Sequence, residues 1–223
     1  FPPGLYQLGV TYFRLRRYGD CASVFERFLE VAPRAVGATQ ALAHCYYSLG
    51  RYEEALAHYA RVLEVNPDSV EALRGHALAH MRTGRLEQAL QLFERCLELR
   101  PSHGDALYWK GQVLFDLGRL EQARAAAESA RELDSFDPRP HFLLSQVLYV
   151  VGDDEGSAAA ERRFDELDLV ERKVRTLEGL LLAEPRRPEL YARLIDVQRA
   201  AGNDAAVRET VQRLIRALPL DLD

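Results

Sequence analysis

Methionine and tryptophan occur once each in the 223 residues, as Met81 and Trp109, and lysine twice, as Lys110 and Lys173. Cysteine occurs three times, too few for the disulfide framework of a small secreted domain. No stretch approaches the roughly 18 consecutive apolar residues that a membrane-crossing helix needs. There is no basic excess: the net charge is -5 and the arginines are interleaved with acids, so nucleic-acid binding is not expected. A glycine-rich phosphate loop, a Gly-x-Ser-x-Gly elbow and an ordered Ser/His/Asp set are all missing, so no catalytic chemistry and no cofactor is expected. The chain opens Phe1-Pro2-Pro3-Gly4, with neither an initiator Met nor a signal peptide, which suggests a processed chain or a fragment. Buried free cysteines are weak grounds for a compartment: they favour the cytoplasm slightly, and a removed leader would place the protein in the periplasm or outside.

What is present is apolar content. The chain is 48% hydrophobic and 28% charged, enough to bury the core of one large domain or two small ones. Arginine in place of lysine, with much Ala and Leu, is the bias of a GC-rich, bacterial genome.

The strongest signal is periodic. Pro33, Pro67 and Pro101 stand 34 residues apart, as do Pro185 and Pro219. Leu49-Gly50-Arg51-Tyr52-Glu53-Glu54-Ala55 returns as Thr83-Gly84-Arg85-Leu86-Glu87-Gln88-Ala89 and as Leu117-Gly118-Arg119-Leu120-Glu121-Gln122-Ala123. Weaker copies stand at Arg16-Arg17-Tyr18, Val151-Gly152-Asp153 and Ala201-Gly202-Asn203. Apolar residues within each unit recur at helical spacing, as in Ala89, Leu90, Phe93 and Leu97. The glycines fall where a first helix must end in a left-handed residue, and the prolines just past the second helix. Asp68-Ser69 is placed to cap the helix that follows.

A 34-residue helix–turn–helix unit of this form resembles the tetratricopeptide repeat. The first copy reads Leu5, Leu8-Gly9, Tyr12, Cys21, Phe25, Phe28, Pro33, and the second Leu42-Ala43, Tyr46, Gly50, Ala55, Tyr59, Val62, Pro67. The third, the fourth (with Ser135 in the proline's place) and the last, from Tyr191 to Pro219, follow the same pattern. The resemblance covers nearly the whole chain. It implies an all-α, right-handed superhelical solenoid, with first helices lining a concave face and second helices outside. Small residues at Gly9, Ala43, Ala77 and Gly111 would let the helices of a unit approach closely. The spacing fails once: Ser135 to Pro185 is 50 residues, 16 too many. Helices are therefore expected near 139–151, 155–167, 170–183, 189–201 and 204–217, for about thirteen in all. The expected organisation is four regular repeats over 1–137, an irregular one-and-a-half over 138–187, and a final repeat with a tail over 188–223.

By resemblance the concave face holds an extended peptide or a partner's helix. The first-helix residues not spent on packing, at helical spacing, are Tyr6, Phe13 and Arg14; then Gln40, His44 and Tyr47; then Arg74, Met81 and Arg82; then Tyr108, Gln112 and Phe115; and last Phe142, Gln146 and Tyr149. Aromatics mixed with Arg are enriched at interaction hot spots. Arg14, Arg74 and Arg82, edged by Glu71 and Asp105, would suit a partner with an acidic segment. The Lys/Asn/Arg clamp by which some family members hold a chaperone's C-terminal carboxylate is missing, since Tyr6 and Val10 stand in its first-helix positions.

Other candidates reduce to structure. Cys21, Cys45 and Cys96 stand where the repeat wants Ala, and a thiol there acts as a small buried hydrophobe. His76 and His80, four apart on one helix, have metal-chelating spacing but no fixed third ligand, so no metal is expected. Asp153-Asp154-Glu155 opens a helix, where the dipole favours carboxylates. The leading expectation is a non-catalytic scaffold that binds another protein. The alternatives are self-association through apolar solenoid ends, drawn from Phe1, Leu5 and Leu8 at one end and Leu214, Ile215, Leu218 and Leu220 at the other, and service as the accessory module of a larger enzyme.

Overall fold

The computed structural model describes residues 3–218; Phe1 and Leu220, which the solenoid-end expectation used, and Pro219, which closes the last repeat, lie outside them. All regular structure among the described residues is helical: α1 (Pro3–Arg14), α2 (Tyr18–Val31), α3 (Val36–Ser48), α4 (Tyr52–Val65), α5 (Val70–Arg82), α6 (Leu86–Leu99), α7 (Gly104–Asp116), α8 (Leu120–Leu133), α9 (Pro138–Val150), α10 (Asp154–Ala183), α11 (Pro188–Ala200) and α12 (Asp204–Ala217). They form two compact units, Phe1–Leu133 with α1 to α8 and Asp134–Asp223 with α9 to α12.

Each hairpin is made by the same turn. Gly50, Gly84, Gly118, Gly152 and Gly202 all have φ between 72° and 82°, the left-handed region that costs glycine least. The next residue's N–H then reaches back to an orphan helix carbonyl, as Arg85 N donates to His80 O at 2.9 Å. In the first hairpin Arg16 takes this place with φ 58°, and Arg17 N donates to Tyr12 O at 2.9 Å. Ser69 caps α5 as expected, its side chain accepting from Ala72 N.

In the first unit α1/α2, α3/α4, α5/α6 and α7/α8 pack as pairs, and each pair packs on the next. Cys21, Phe25, Phe28, Leu42, Ala43, Tyr46, Ala55, Tyr59 and Val62 join one buried cluster. The small residues set how close the helices come. A Cβ on Gly9 would stand 2.8 Å from the Phe25 ring, so α1 can meet α2 there only as glycine.

Two expectations are corrected. The helices expected at 155–167 and 170–183 are one 30-residue helix, α10, so there are twelve helices among the described residues rather than thirteen. Leu167-Asp168-Leu169-Val170 holds no glycine or proline to stop a helix. Leu167 is buried, and α10 packs against both α9 and α11, so it runs through from one hairpin to the next. The second correction concerns the cysteines. All three are buried, as expected, but Cys21 of α2 and Cys45 of α3 are joined by a disulfide, with their Cα atoms 6.4 Å apart. Cys96 stays a free thiol, directed at Val70 O.

The second unit buries Leu143, Leu144 and Val147 of α9, and clusters Leu177, Leu181, Leu190, Tyr191 and Leu194 with Val174, Val197, Leu214 and Ala217 against them. Arg213 of α12 holds Glu178 of α10 through two hydrogen bonds of 2.6 and 3.0 Å.

Candidate functional site

In the first unit the first helices α1, α3, α5 and α7 lie side by side, and the candidate side chains meet across their seams. Phe13 of α1 lies 6.3 Å from the ring of His44 on α3 and edge-on to Tyr18. Arg82 of α5 donates from Nε to the Tyr47 hydroxyl of α3 at 3.3 Å, and Tyr47 also leans on Tyr52. Arg74 of α5 pairs with Asp105 of α7 at 3.0 Å. Gln112 donates to Asp116 one turn along α7. Gln40, Met81 and Phe115 are half-buried, and Arg14 is exposed. The result is a run of partly open aromatic, thioether and guanidinium groups over four helices.

Two candidates turn inward. Tyr6 packs edge-on against Phe25 and Phe28 of α2, and Tyr108 is buried beside Trp109. The last three belong to the second unit: Phe142 lies against Phe164 of α10, Gln146 is half-buried, and Tyr149 is 71% exposed.

The electrostatics divide the arginines. The carboxylate of Asp105 meets the charge of Arg74, and the phenol of Tyr47 fixes Arg82 in direction. Burial, with Arg74 nearby, lowers the His44 pKa to about 4, so His44 is neutral at pH 7 and adds no charge to this face. His76 and His80 sit with ring centroids 4.6 Å apart, each with Nδ1 buried and without a hydrogen-bond partner. Burial, with His80 beside it, lowers His76 to about 4. Among the described residues no group of three or more His, Cys, Asp or Glu is placed to hold a metal ion. Nor is any helix among them long and apolar enough to cross a membrane.

Sequence reasoning missed Trp109 and Tyr52, which extend the aromatic patch. Trp109 lies one residue past Tyr108, off the helical spacing, and Tyr52 opens a second helix, outside the first helices that supplied the candidates.

Stacked helical hairpins with an open polar–aromatic first-helix face define an α-helical repeat protein of the interaction type. The chain belongs to the tetratricopeptide repeat family: the family's pattern matches residues 6–70, 41–103 and 74–138, which together span more than half of it. No curated protein matches it in sequence. Its fold is that of solved structures of MamA. One aligns with a TM-score of 0.67 at 17% identity, covering 74% of this chain and 96% of that one. A MamA RS-1 ArsTM double mutant aligns with a TM-score of 0.69 at 17% identity, over 75% and 94% of the two chains. A further MamA structure gives 0.66 at 16%, over 76% and 92%.

Proposed function

We propose that the first unit is a non-catalytic scaffold whose first-helix face holds a segment of another protein, with an acidic stretch over Arg14 and Arg82. The observation that carries this is the seam between α3 and α5. There Arg82 and Tyr47 are tied together by a 3.3 Å hydrogen bond yet remain open on one side. An oriented guanidinium beside a phenol offers forked donors and rigid ring area at little entropic cost. Half-buried Met81 of α5 itself and Phe115 of the neighbouring α7 supply apolar contact.

The test is paired capture with wild type and a Tyr47→Ala/Arg82→Glu/Phe115→Ala variant, both checked for helicity. A protein retained by wild type should be lost at least about tenfold by the variant, the loss expected when a hot-spot residue worth more than about 1.4 kcal/mol is removed. Arg82→Glu alone should weaken binding more at low salt than at high. Equal recovery by both baits, with both folded, removes the proposal.

A second reading has its own observation. Val211 and Ile215 stand one turn apart on α12, both exposed, with Ile215 at 60%. An apolar stripe on α12, the last helix among the described residues, suits self-association. If that reading holds, light scattering finds a dimer or larger species that Ile215→Glu disperses. A monomer at every concentration removes it.

A further inference from the structure

One place in the second unit departs from the repeat in a way that leaves helix surface bare. In α2, α4, α6 and α8 the same two positions are always buried. The first holds Cys21, Ala55, Ala89 and Ala123, and the second, seven residues on, holds Phe28, Val62, Cys96 and Ala130. First helices cover them: Phe28 packs on Tyr6 of its own α1, Cys96 points to Val70 of its own α5, and Cys21 meets Cys45 of the following α3. Counted back from Pro185 as from Pro101, the matching residues of α10 are Lys173 and Leu180. Lys173 is exposed and Leu180 is 41% exposed. The same holds on α11. Its Val197 matches Cys45, Ala79 and Val113, all fully buried, yet Val197 is only half-buried.

The cause is the 16 extra residues. The second half of α10 plays a second helix, with α11 packed behind it, but the sequence supplies no first helix to stand in front. The unfilled position is an open cavity of 510 Å³ between α10 and α11, its lining drawn from Lys173, Leu177, Leu180, Arg193 and Val197.

We propose that this cavity is a docking site for an amphipathic, acidic helix of a partner protein, seated where the missing first helix would lie. The shape argues for a helix, because the bare positions are those that a first helix buries elsewhere in the chain. First helices α3, α5, α7, α9 and α11 have 13 residues each, which sets the length. The lining chooses the chemistry. Leu177, Leu180 and Val197 take an apolar stripe at i, i+3 and i+4 spacing. Arg172, Lys173 and Arg193 outnumber Asp196 at the rim, and Arg172 already has Asp168 as its partner, which leaves Lys173 and Arg193 facing the occupant. Acidic residues flanking the stripe answer them. This site lies wholly in the second unit and does not depend on the function proposed for the first.

The experiment is selection from a displayed library of 16-residue helices of Ala, Leu, Glu and Lys, balanced in charge, on the full chain. Selected peptides are then measured by fluorescence anisotropy against wild type, Lys173→Glu, Leu180→Glu and Arg82→Glu. The expected result is net-acidic amphipathic peptides that lose at least about tenfold in affinity on Lys173→Glu and on Leu180→Glu and are unmoved by Arg82→Glu. Both second-unit side chains are already exposed, so these variants should keep wild-type helicity, and Lys173→Gln gives an intermediate loss. The proposal is overturned if nothing is enriched over the empty support, or if the peptides are basic. Equal binding to the two second-unit variants overturns it too, as does sensitivity to Arg82→Glu alone, which assigns the peptides to the first unit. A wild-type dimer that Leu180→Glu dissociates also overturns it, since the occupant is then a second copy of this chain.

Discussion

Tyr59→Ala is expected to cost about 3–5 kcal/mol, the usual range for removing a fully buried aromatic ring. Tyr59 is 1% exposed and stands where three helices meet. It projects from α4, lies edge-on to His44 of α3 at 5.5 Å, and comes within 6.3 Å of His76 on α5. Gly75 of α5 is shaped around it: a Cβ there would fall 2.5 Å from the ring, closer than any real contact. The ring is enclosed and cannot swing aside, so Gly75→Ala should cost about 1–3 kcal/mol by overpacking. The pair predicts its own non-additivity. In a Tyr59→Ala background the new methyl enters space the ring has vacated, so Gly75→Ala should become nearly neutral. Urea midpoints of the four proteins measure the cycle. If the two changes simply add, the close approach of Gly75 to Tyr59 does not set the spacing of α4 and α5.

Gly75 also shows where the sequence is legible and where it is not. The 34-residue period is carried by residues whose reason is local: Gly50, Gly84 and Gly118 take left-handed φ, and Ser69 caps its own helix. Those can be read one at a time, so the family and the hairpins follow from the sequence. Gly75 has no local reason, because its neighbour Tyr59 is 16 residues away on another helix. The disulfide of Cys21 and Cys45 depends in the same way on two helices meeting. The continuity of α10 was hidden because the break near residue 168 came from repeat arithmetic and no stop residue stands there. At the first-unit face, helical spacing picks out Tyr47 and Arg82, but their hydrogen bond depends on the register of α3 against α5. The bare cavity beside Lys173 was least legible. A lysine on a charged helix reads as ordinary surface until alignment shows that α2, α4, α6 and α8 all bury that position.

Acid is expected to destabilise this protein well before its carboxylates are all protonated. His44 and His76 are both lowered from 6.5 to about 4, and burial is the first cause in each. His44 faces Phe13 of α1, Tyr59 of α4 and the cationic Arg74 of α5. His76 faces Tyr59 and His80. His80 is itself lowered, by burial and by Arg85, against an opposing pull from Glu53; His58 is lowered by burial and by Arg61, against Glu26 and Glu54. Protons therefore bind the unfolded chain more readily than the folded one between about pH 4 and pH 6.5. The folded state keeps its full stability above pH 6.5 and loses it progressively as pH falls to about 4, where the loss from His44 and His76 is complete. Allowing for the partial exposure of both rings, the two together amount to roughly 3 kcal/mol. Urea midpoints measured between about pH 7.5 and about pH 5 should fall steadily for wild type. His44→Phe/His76→Phe keeps ring volume and removes both titrating groups, so its midpoint should change much less over that range. If the variant falls as steeply as wild type, the acid sensitivity belongs to other groups. If wild type does not fall at all, these imidazoles are protonated in the folded state and the first unit is open enough to solvate them.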